Sequence, residues 1–189
     1  MKKIAIFASG SGTNAENIIT YFEKDPKITV ALIASNNKFS KVLFRANKYN
    51  IPVLVFNKTE LNNGDVLNAL KLKGINFIVL AGFLLKIPDN IITFFLNKII
   101  NIHPSLLPLY GGKGMYGLYV HQKVFESKDK ETGITIHFVN NKYDQGKIIF
   151  QAKCLIEPNM KIKAIAKKVH QLEMKFFPKI IESVLNEEN

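Results

Sequence analysis

The chain has 189 residues, is 47% hydrophobic and carries a formal charge of +11 at pH 7. That length suits one domain with a sizeable core, the composition excludes a disordered chain, and the longest apolar runs, such as Phe77 to Leu85, are too short to span a bilayer. The charge excludes little: Arg45 is the lone arginine among 26 basic side chains, the lysines are spread over the whole sequence, and no basic run is interleaved with aromatics, so no specific nucleic-acid partner is expected.

Lys2 to Ala8 is a near-continuous apolar run and reads as a buried parallel strand. Ser9 to Asn14 is a glycine-rich turn, and Ala15 to Lys24 reads as a helix with Pro26 just beyond it. Ile28 to Ala34 is a second strand, Ser40 can cap a helix running to about Tyr49, and Pro52 to Phe56 is a third strand. A helix over Asp65 to Leu72 stops at Gly74, Asn76 to Ala81 is a fourth strand, Pro88 opens a short helix through Leu96, and Ile99 to His103 is a fifth strand. The alternation predicts a Rossmann-like α/β fold, one domain over residues 1–189: a mostly parallel twisted sheet with helices on both faces. Beyond Pro108 the pattern changes. Leu109 to Gly117 holds four glycines and reads as a loop, Met115 to Phe125 as including a helix, Thr132 to Val139 and Ile148 to Ile156 as strands. Lys161 to Leu185 is a long helix that Pro178 is expected to kink or divide. The lysines of Met1-Lys2-Lys3 precede an apolar run that ends at Ser9-Gly10-Ser11-Gly12 with no cleavage pattern, so no signal peptide is expected. The single cysteine, Cys154, excludes an internal disulfide framework and fits a reducing cytoplasm.

Two stretches carry chemistry. On the fifth strand Asn101 and His103 are two apart and face one side together, and Pro104 holds His103 out of helical conformation. An amide donor beside an imidazole at a strand end is what a carbonyl oxygen gaining negative charge requires. Gly10, Ser11, Gly12, Thr13 and Asn14 lie between the first strand and first helix, where backbone N–H groups and the helix N-terminus favour a phosphate. A dinucleotide site would need an acid after the second strand, and Ser35-Asn36-Asn37-Lys38 has none. Asp144 follows the strand Gly133 to Val139, where a carboxylate can orient an imidazole and keep it protonated. His121 reads as a surface residue, His137 as a packing histidine, and His170 as either. No metal-ligand pair stands near this site, so no metal is expected, and Gly-x-Ser-x-Gly is absent.

These residues resemble, over nearly the full length, the phosphoribosylglycinamide formyltransferases, the folate-dependent enzymes of purine synthesis. The resemblance is carried by Ser9-Gly10-Ser11-Gly12-Thr13-Asn14, Ser35-Asn36, Leu80-Ala81-Gly82-Phe83, Asn101-Ile102-His103-Pro104-Ser105-Leu106-Leu107-Pro108, Gly133 to Val139 and Tyr143-Asp144-Gln145-Gly146. It implies 5-phosphoribosylglycinamide as acceptor and 10-formyltetrahydrofolate as co-substrate, with direct attack of the amine on the formyl carbon. It also implies that Asn101 binds the oxyanion, that a protonated His103 complements it, and that Asp144 orients His103 and helps move the proton. Thr135 would support the site and Glu173 would bind the ribose. Phe83, Leu84, Leu85, Lys86 and Ile87, with Asn140, Asn141, Lys142 and Tyr143, would line the folate pocket. Many family members carry arginine where Leu85 stands, and the loop from Leu109 to Gly117 is longer than in the common bacterial form. It would act as a mobile lid or be only an insertion. A monomer or homodimer in the cytoplasm, with no membrane partner, completes the expectation. The alternatives are a formyltransferase for another amine, such as an amino sugar nucleotide or methionyl-tRNA, and a nucleotide-binding sensor. The length leaves no room for the extra domain of the tRNA enzymes, and binding alone does not need Asn101, His103 and Asp144.

Overall fold

The computed structural model describes residues 1–187, and the chain clusters into two units, Met1–Ile100 and Asn101–Asn189. In the first, β1 (Lys2–Phe7), α1 (Thr13–Phe22), β2 (Ile28–Ser35), α2 (Lys41–Lys48) and β3 (Val53–Val55) alternate as the apolar runs predict. They are followed by α3 (Lys58–Asn63), α4 (Asp65–Leu72), β4 (Phe77–Leu80) and α5 (Asp89–Phe94). β1 pairs in parallel with β2 and β4, and β2 in parallel with β3. A strand flanked on both sides must be apolar throughout, and Ile4, Ala5, Ile6 and Phe7 are wholly buried. On α1 the buried residues are Ala15, Ile18, Ile19 and Phe22, the spacing of one helix face.

The second unit takes in most of β5 (Ile99–His103), followed by α6 (Leu118–Glu126), β6 (Glu131–Phe138), β7 (Ile148–Leu155) and α7 (Ile162–Glu187). β6 and β7 form an antiparallel hairpin in which Thr135 lies opposite Gln151. α7 packs on α6, β6 and β7. The strands hydrogen-bond in the order β3-β2-β1-β4-β5-β6-β7, one seven-stranded, mostly parallel sheet. The peptide bond Leu107–Pro108 is cis.

Three local readings differ from the structure. Helix α3 was not expected; it forms because Asn57 accepts from the Glu60 N–H while the Glu60 carboxylate accepts from the Asn57 N–H, a capping box at the start of six residues. Ser40 stands at the N-cap of α2 but makes no side-chain cap bond, because its Oγ pairs with Ser35 Oγ at 2.9 Å. Pro178 does not divide α7, which runs unbroken from Ile162 to Glu187. Phe177, Pro178, Ile181 and Leu185 are all buried, so packing of one face carries the helix past the missing N–H.

Gly12, at the N-cap of α1, has φ 74, and a Cβ there would lie 2.6 Å from Val42 Cβ. The position combines left-handed backbone with close approach of α2, so only glycine is unstrained. Gly12→Ala is expected to lower stability by about 2 kcal/mol or more in urea unfolding.

Candidate active site

Strand alternation sends Asn101 and His103 to one side of β5, and Thr135 and His137 to one side of β6. Asp144 comes from the loop between β6 and β7, in left-handed conformation with φ 52. The contacts among these groups follow from which atoms can donate. The Phe138 carbonyl only accepts, so His137 Nδ1, 2.8 Å away, carries a hydrogen. In that tautomer the lone pair is at Nε2, and Asn101 Nδ2 donates to it at 3.1 Å. This fixes the amide by its nitrogen, whose second N–H can serve another acceptor. By the same logic His103 Nε2 donates to the Tyr110 carbonyl at 2.8 Å, so Nδ1 is the nitrogen that faces Asp144 Oδ2, 3.6 Å away. The other carboxylate oxygen, Oδ1, stands 3.7 Å from His137 Nε2, and Oδ2 accepts the Gly112 N–H at 2.9 Å.

Burial opposes charge on both partners, with different results. It holds His103 below the ordinary 6.5, against the Asp144 carboxylate and the Tyr110 carbonyl, which favour the charged ring. Burial also pushes the Asp144 carboxyl up, but the neighbouring His137 ring, the charge of His103 and the Gly112 N–H outweigh it and leave the group below 3.8. The site at rest is a carboxylate beside a neutral imidazole. Burial thus weighs against the protonated His103 that the resemblance implies, while an acceptor beside each ring nitrogen weighs for it.

Thr135 acts through the loop after β5. Its Oγ1 donates to the Ser105 carbonyl at 2.7 Å and accepts from the Leu107 N–H and Gln151 Nε2, each at 2.9 Å. Gln151, which also donates to the Leu107 carbonyl at 3.0 Å, was not singled out in the sequence; the hairpin register brings it there. Gly111 eases a close approach, since a Cβ would lie 2.5 Å from Leu107 Cδ2 and 3.3 Å from Asp144 Cβ. The first part of the glycine-rich loop, Tyr110 to Gly112, is thus held against His103 and Asp144.

His121 corrects the expectation of a surface residue. It is only 6% exposed, between buried Val120 and near buried Val124, because α6 packs on α7. Its buried Nδ1 has no hydrogen-bond partner among the described residues. Burial lowers its pKa, as does the charge of His103, against the pull of Glu173. His137, expected to be a packing residue, is buried and also links Asn101 to Asp144. His170 donates from Nδ1 to Glu173 Oε2 at 2.9 Å, which holds it above 6.5. The charge of Glu173 reaches both His103 and His121. In the following loop Asn140 Nδ2 donates to the Gln145 carbonyl and its Oδ1 accepts the Lys142 N–H, while Asn141, Lys142 and Tyr143 are exposed. No group of three or more His, Cys, Asp and Glu among the described residues could hold a metal ion.

In the first unit, the carbonyls of Gly10, Ser11 and Gly12 accept from Val42 N, Arg45 Nε and Glu16 N, at 3.2, 2.8 and 2.9 Å. Arg45 also pairs with Glu16. Ser11 to Asn14 therefore form a shaped turn at a helix N-terminus, suited to an anion. Ser9 Oγ donates to Asn36 Oδ1 at 2.6 Å and accepts the Leu84 N–H at 3.0 Å. Phe83 is half-buried against Phe7 and Phe56, with ring centroids 5.3 and 6.0 Å away, and Ile87 is buried. Leu84 and Lys86 are exposed and Leu85 half-buried.

Thr135→Val leaves the buried Leu107 N–H and Ser105 carbonyl without their partner and should cost about 1–3 kcal/mol in urea unfolding. A second expectation concerns pH. His103 and His121 have folded pKa values below 6.5, so as pH falls through 6.5 the unfolded chain takes up protons that the native state refuses. Their contribution to stability is present above 6.5 and is lost on acidification. His170, raised, acts in the opposite sense, its contribution being lost as pH rises above 6.5. His103 and His121 are buried, whereas the His170 side chain is 42% exposed and its ion pair is screened by water, so thermal unfolding should come at lower temperature at about pH 5.5 than at about pH 7.5, and His121→Phe should narrow that difference.

Residues 2–181 match the family described as Formyl transferase. The Bacillus subtilis phosphoribosylglycinamide formyltransferase is 34% identical over 195 residues, covering 100% of this chain and 97% of its own length. The chloroplastic phosphoribosylglycinamide formyltransferase of Arabidopsis thaliana is 37% identical over 98% of this chain, which spans 66% of that protein. Among solved structures, phosphoribosylglycinamide formyltransferase from Bacillus halodurans superposes with a TM-score of 0.90 at 33% identity, covering 100% of this chain and 97% of that one. Glycinamide ribonucleotide transformylase 1 from Geobacillus kaustophilus gives 0.90 at 34% identity, covering 98% of this chain and 99% of that one. The chain belongs to the formyl transferase family, among the phosphoribosylglycinamide formyltransferases.

Proposed function

We propose that the chain transfers the formyl group of 10-formyltetrahydrofolate to the amine of 5-phosphoribosylglycinamide, as one catalytic domain over residues 1–189. The observation that carries this reading is the set of Asn101, His103, His137 and Asp144, in which the amide, both rings and the carboxylate are fixed by donors and acceptors of known direction. Such preorganisation supports a reaction in which charge develops on an oxygen while a proton changes place.

The attacking amine forms a bond to the formyl carbon, and the formyl oxygen takes the electron pair as a tetrahedral oxyanion. The Asn101 amide donates its second N–H to that oxygen. The amine's surplus proton passes to the site's bases, His103 Nδ1 or the Asp144 carboxylate, which stand 3.6 Å apart. It leaves on the folate nitrogen as the bond from that nitrogen to the formyl carbon breaks, so acid and base roles alternate on one pair. A ring charged in mid-reaction faces a carboxylate already ionised, which favours the transient imidazolium.

The remaining assignments belong to the same proposal. Gly10, Ser11, Gly12, Thr13 and Asn14 hold the ribose phosphate through backbone donors. Glu173 accepts from the ribose hydroxyls. Phe83 to Ile87 and Asn140 to Tyr143 receive the folate, mostly through backbone groups. The reaction as written needs no metal, and the protein works in the cytoplasm.

The test is formyl transfer from 10-formyltetrahydrofolate, followed by absorbance, with phosphoribosylglycinamide, an amino sugar nucleotide or water as acceptor. Turnover with phosphoribosylglycinamide alone is expected; turnover only with the sugar would overturn the acceptor, and formate release with water alone would make the protein a hydrolase. His103→Ala and Asp144→Asn should each lower kcat by about 10²–10⁴-fold, while calorimetric binding of phosphoribosylglycinamide stays within a few-fold of the parent.

A further inference from the structure

We propose that Tyr110 is a positioning residue, whose carbonyl selects the tautomer of His103 and whose phenol, anchored on Asp129, keeps that carbonyl in place. The inference rests on His103 acting in the proposed transfer, but the geometry behind it stands in the protein alone. Tyr110 is a non-glycine residue with φ 56, a conformation that costs about 1 kcal/mol and persists only where the surroundings impose it. Two contacts impose it here. Its carbonyl accepts from His103 Nε2 at 2.8 Å, and its hydroxyl donates to Asp129 Oδ2 at 2.7 Å, in the turn between α6 and β6. Burial, together with Asp129, holds the phenol above its ordinary 10.0, against a hydrogen bond with Ser127, so it remains an O–H donor at working pH.

The consequence for His103 is chemical. A carbonyl has no hydrogen to give, so the nitrogen beside it must carry one. With Nε2 so engaged, the neutral ring has its lone pair on Nδ1, the nitrogen 3.6 Å from Asp144. Were the carbonyl to move, both tautomers would become accessible and the lone pair would spend part of its time on the wrong side of the ring. Two residues on, Gly112 N–H binds Asp144 Oδ2, so one short stretch of backbone sets both members of the pair. Gly111 permits the approach. Nothing in the Asn-Ile-His-Pro stretch itself chooses between the ring nitrogens; the phenol on Asp129 supplies that choice from a distance.

The variants are Tyr110→Phe, which keeps the ring and backbone but loses the hydroxyl, Asp129→Ala, which removes the acceptor, and Asp129→Asn, which keeps an acceptor oxygen. His103 is faced by Asp144 from the β6–β7 loop, His137 from β6, Glu173 from α7 and His121 from α6, all unchanged in these proteins. Histidine nitrogen NMR on the folded proteins, without substrate, reads the tautomer and the titration of His103. The parent is expected to show the Nε2–H form. Tyr110→Phe and Asp129→Ala should each show a mixture, with His103 titrating at lower pH because the acceptor that favours the charged ring has loosened. Asp129→Asn should restore the parent pattern. In the transfer assay the two disrupting variants should lose about fivefold in kcat, the equivalent of one hydrogen bond of about 1 kcal/mol, with KM little changed and the acid limb displaced to lower pH. An unchanged tautomer and titration in both disrupting variants would overturn the proposal, whatever the assay gave. The expected NMR pattern with no formyl transfer from the parent would leave the positioning role standing and reject the assigned reaction.

Discussion

A carboxylate largely out of water must find partners for its lone pairs, and Asp144 finds one in the Gly112 N–H and faces two imidazoles at 3.6 and 3.7 Å. Much of the Asn101–Asn189 unit is arranged to meet that demand. His137 takes the tautomer dictated by the Phe138 carbonyl and so becomes the acceptor that orients Asn101. His103 meets the Tyr110 carbonyl with Nε2 and turns Nδ1 toward Asp144. Thr135 and Gln151 fix the loop that leaves β5, so that the turn following His103 has no freedom to carry the ring away. Each of these is a single hydrogen bond of modest net worth. Together they make a buried polar network anchored on backbone groups at Phe138, Tyr110, Gly112, Ser105 and Leu107.

The two units solve their polar problems differently. Around the glycine loop the solution is backbone: carbonyls of Gly10, Ser11 and Gly12 are taken up by neighbouring helices, and Arg45 spans Ser11 and Glu16 with the forked geometry that lysine lacks. In a chain whose other basic residues are all lysine, the one guanidinium stands where two acceptors must be met from one side chain. Around His103 the solution is side chain on backbone: two imidazoles on the carbonyls of Tyr110 and Phe138, and a carboxylate on the Gly112 N–H.

Much of this was legible in the sequence, for identifiable reasons. Buried parallel strands are apolar runs bounded by turn residues, so β1, β2 and β4 could be read directly. Asn101 and His103 are related by strand periodicity, which needs no knowledge of the rest of the chain. Helix α3 carried its own signal in Asn57 and Glu60, three residues apart, but six residues are too few to show a periodic face. Pro178 was read by its local cost, and the local cost was outweighed by the buried face of α7. His121, Gln151 and Tyr110 could not be read at all. Each owes its role to something non-local: the packing of α6 on α7, the register of a hairpin, and a phenol meeting a turn nineteen residues later in the chain.

Tyr110 and Asp144 share a property that sets them against the stability of their own backbone. Both are left-handed residues with a Cβ, at positions where glycine would sit without strain. Their side chains make the contacts to Asp129 and to the Gly112 N–H, so the backbone is held slightly above its conformational minimum at two points flanking the same histidine. Glycine at either position would relieve the backbone but remove the phenol bonded to Asp129 or the carboxylate that accepts the Gly112 N–H, so relief of strain and loss of contacts oppose each other at both.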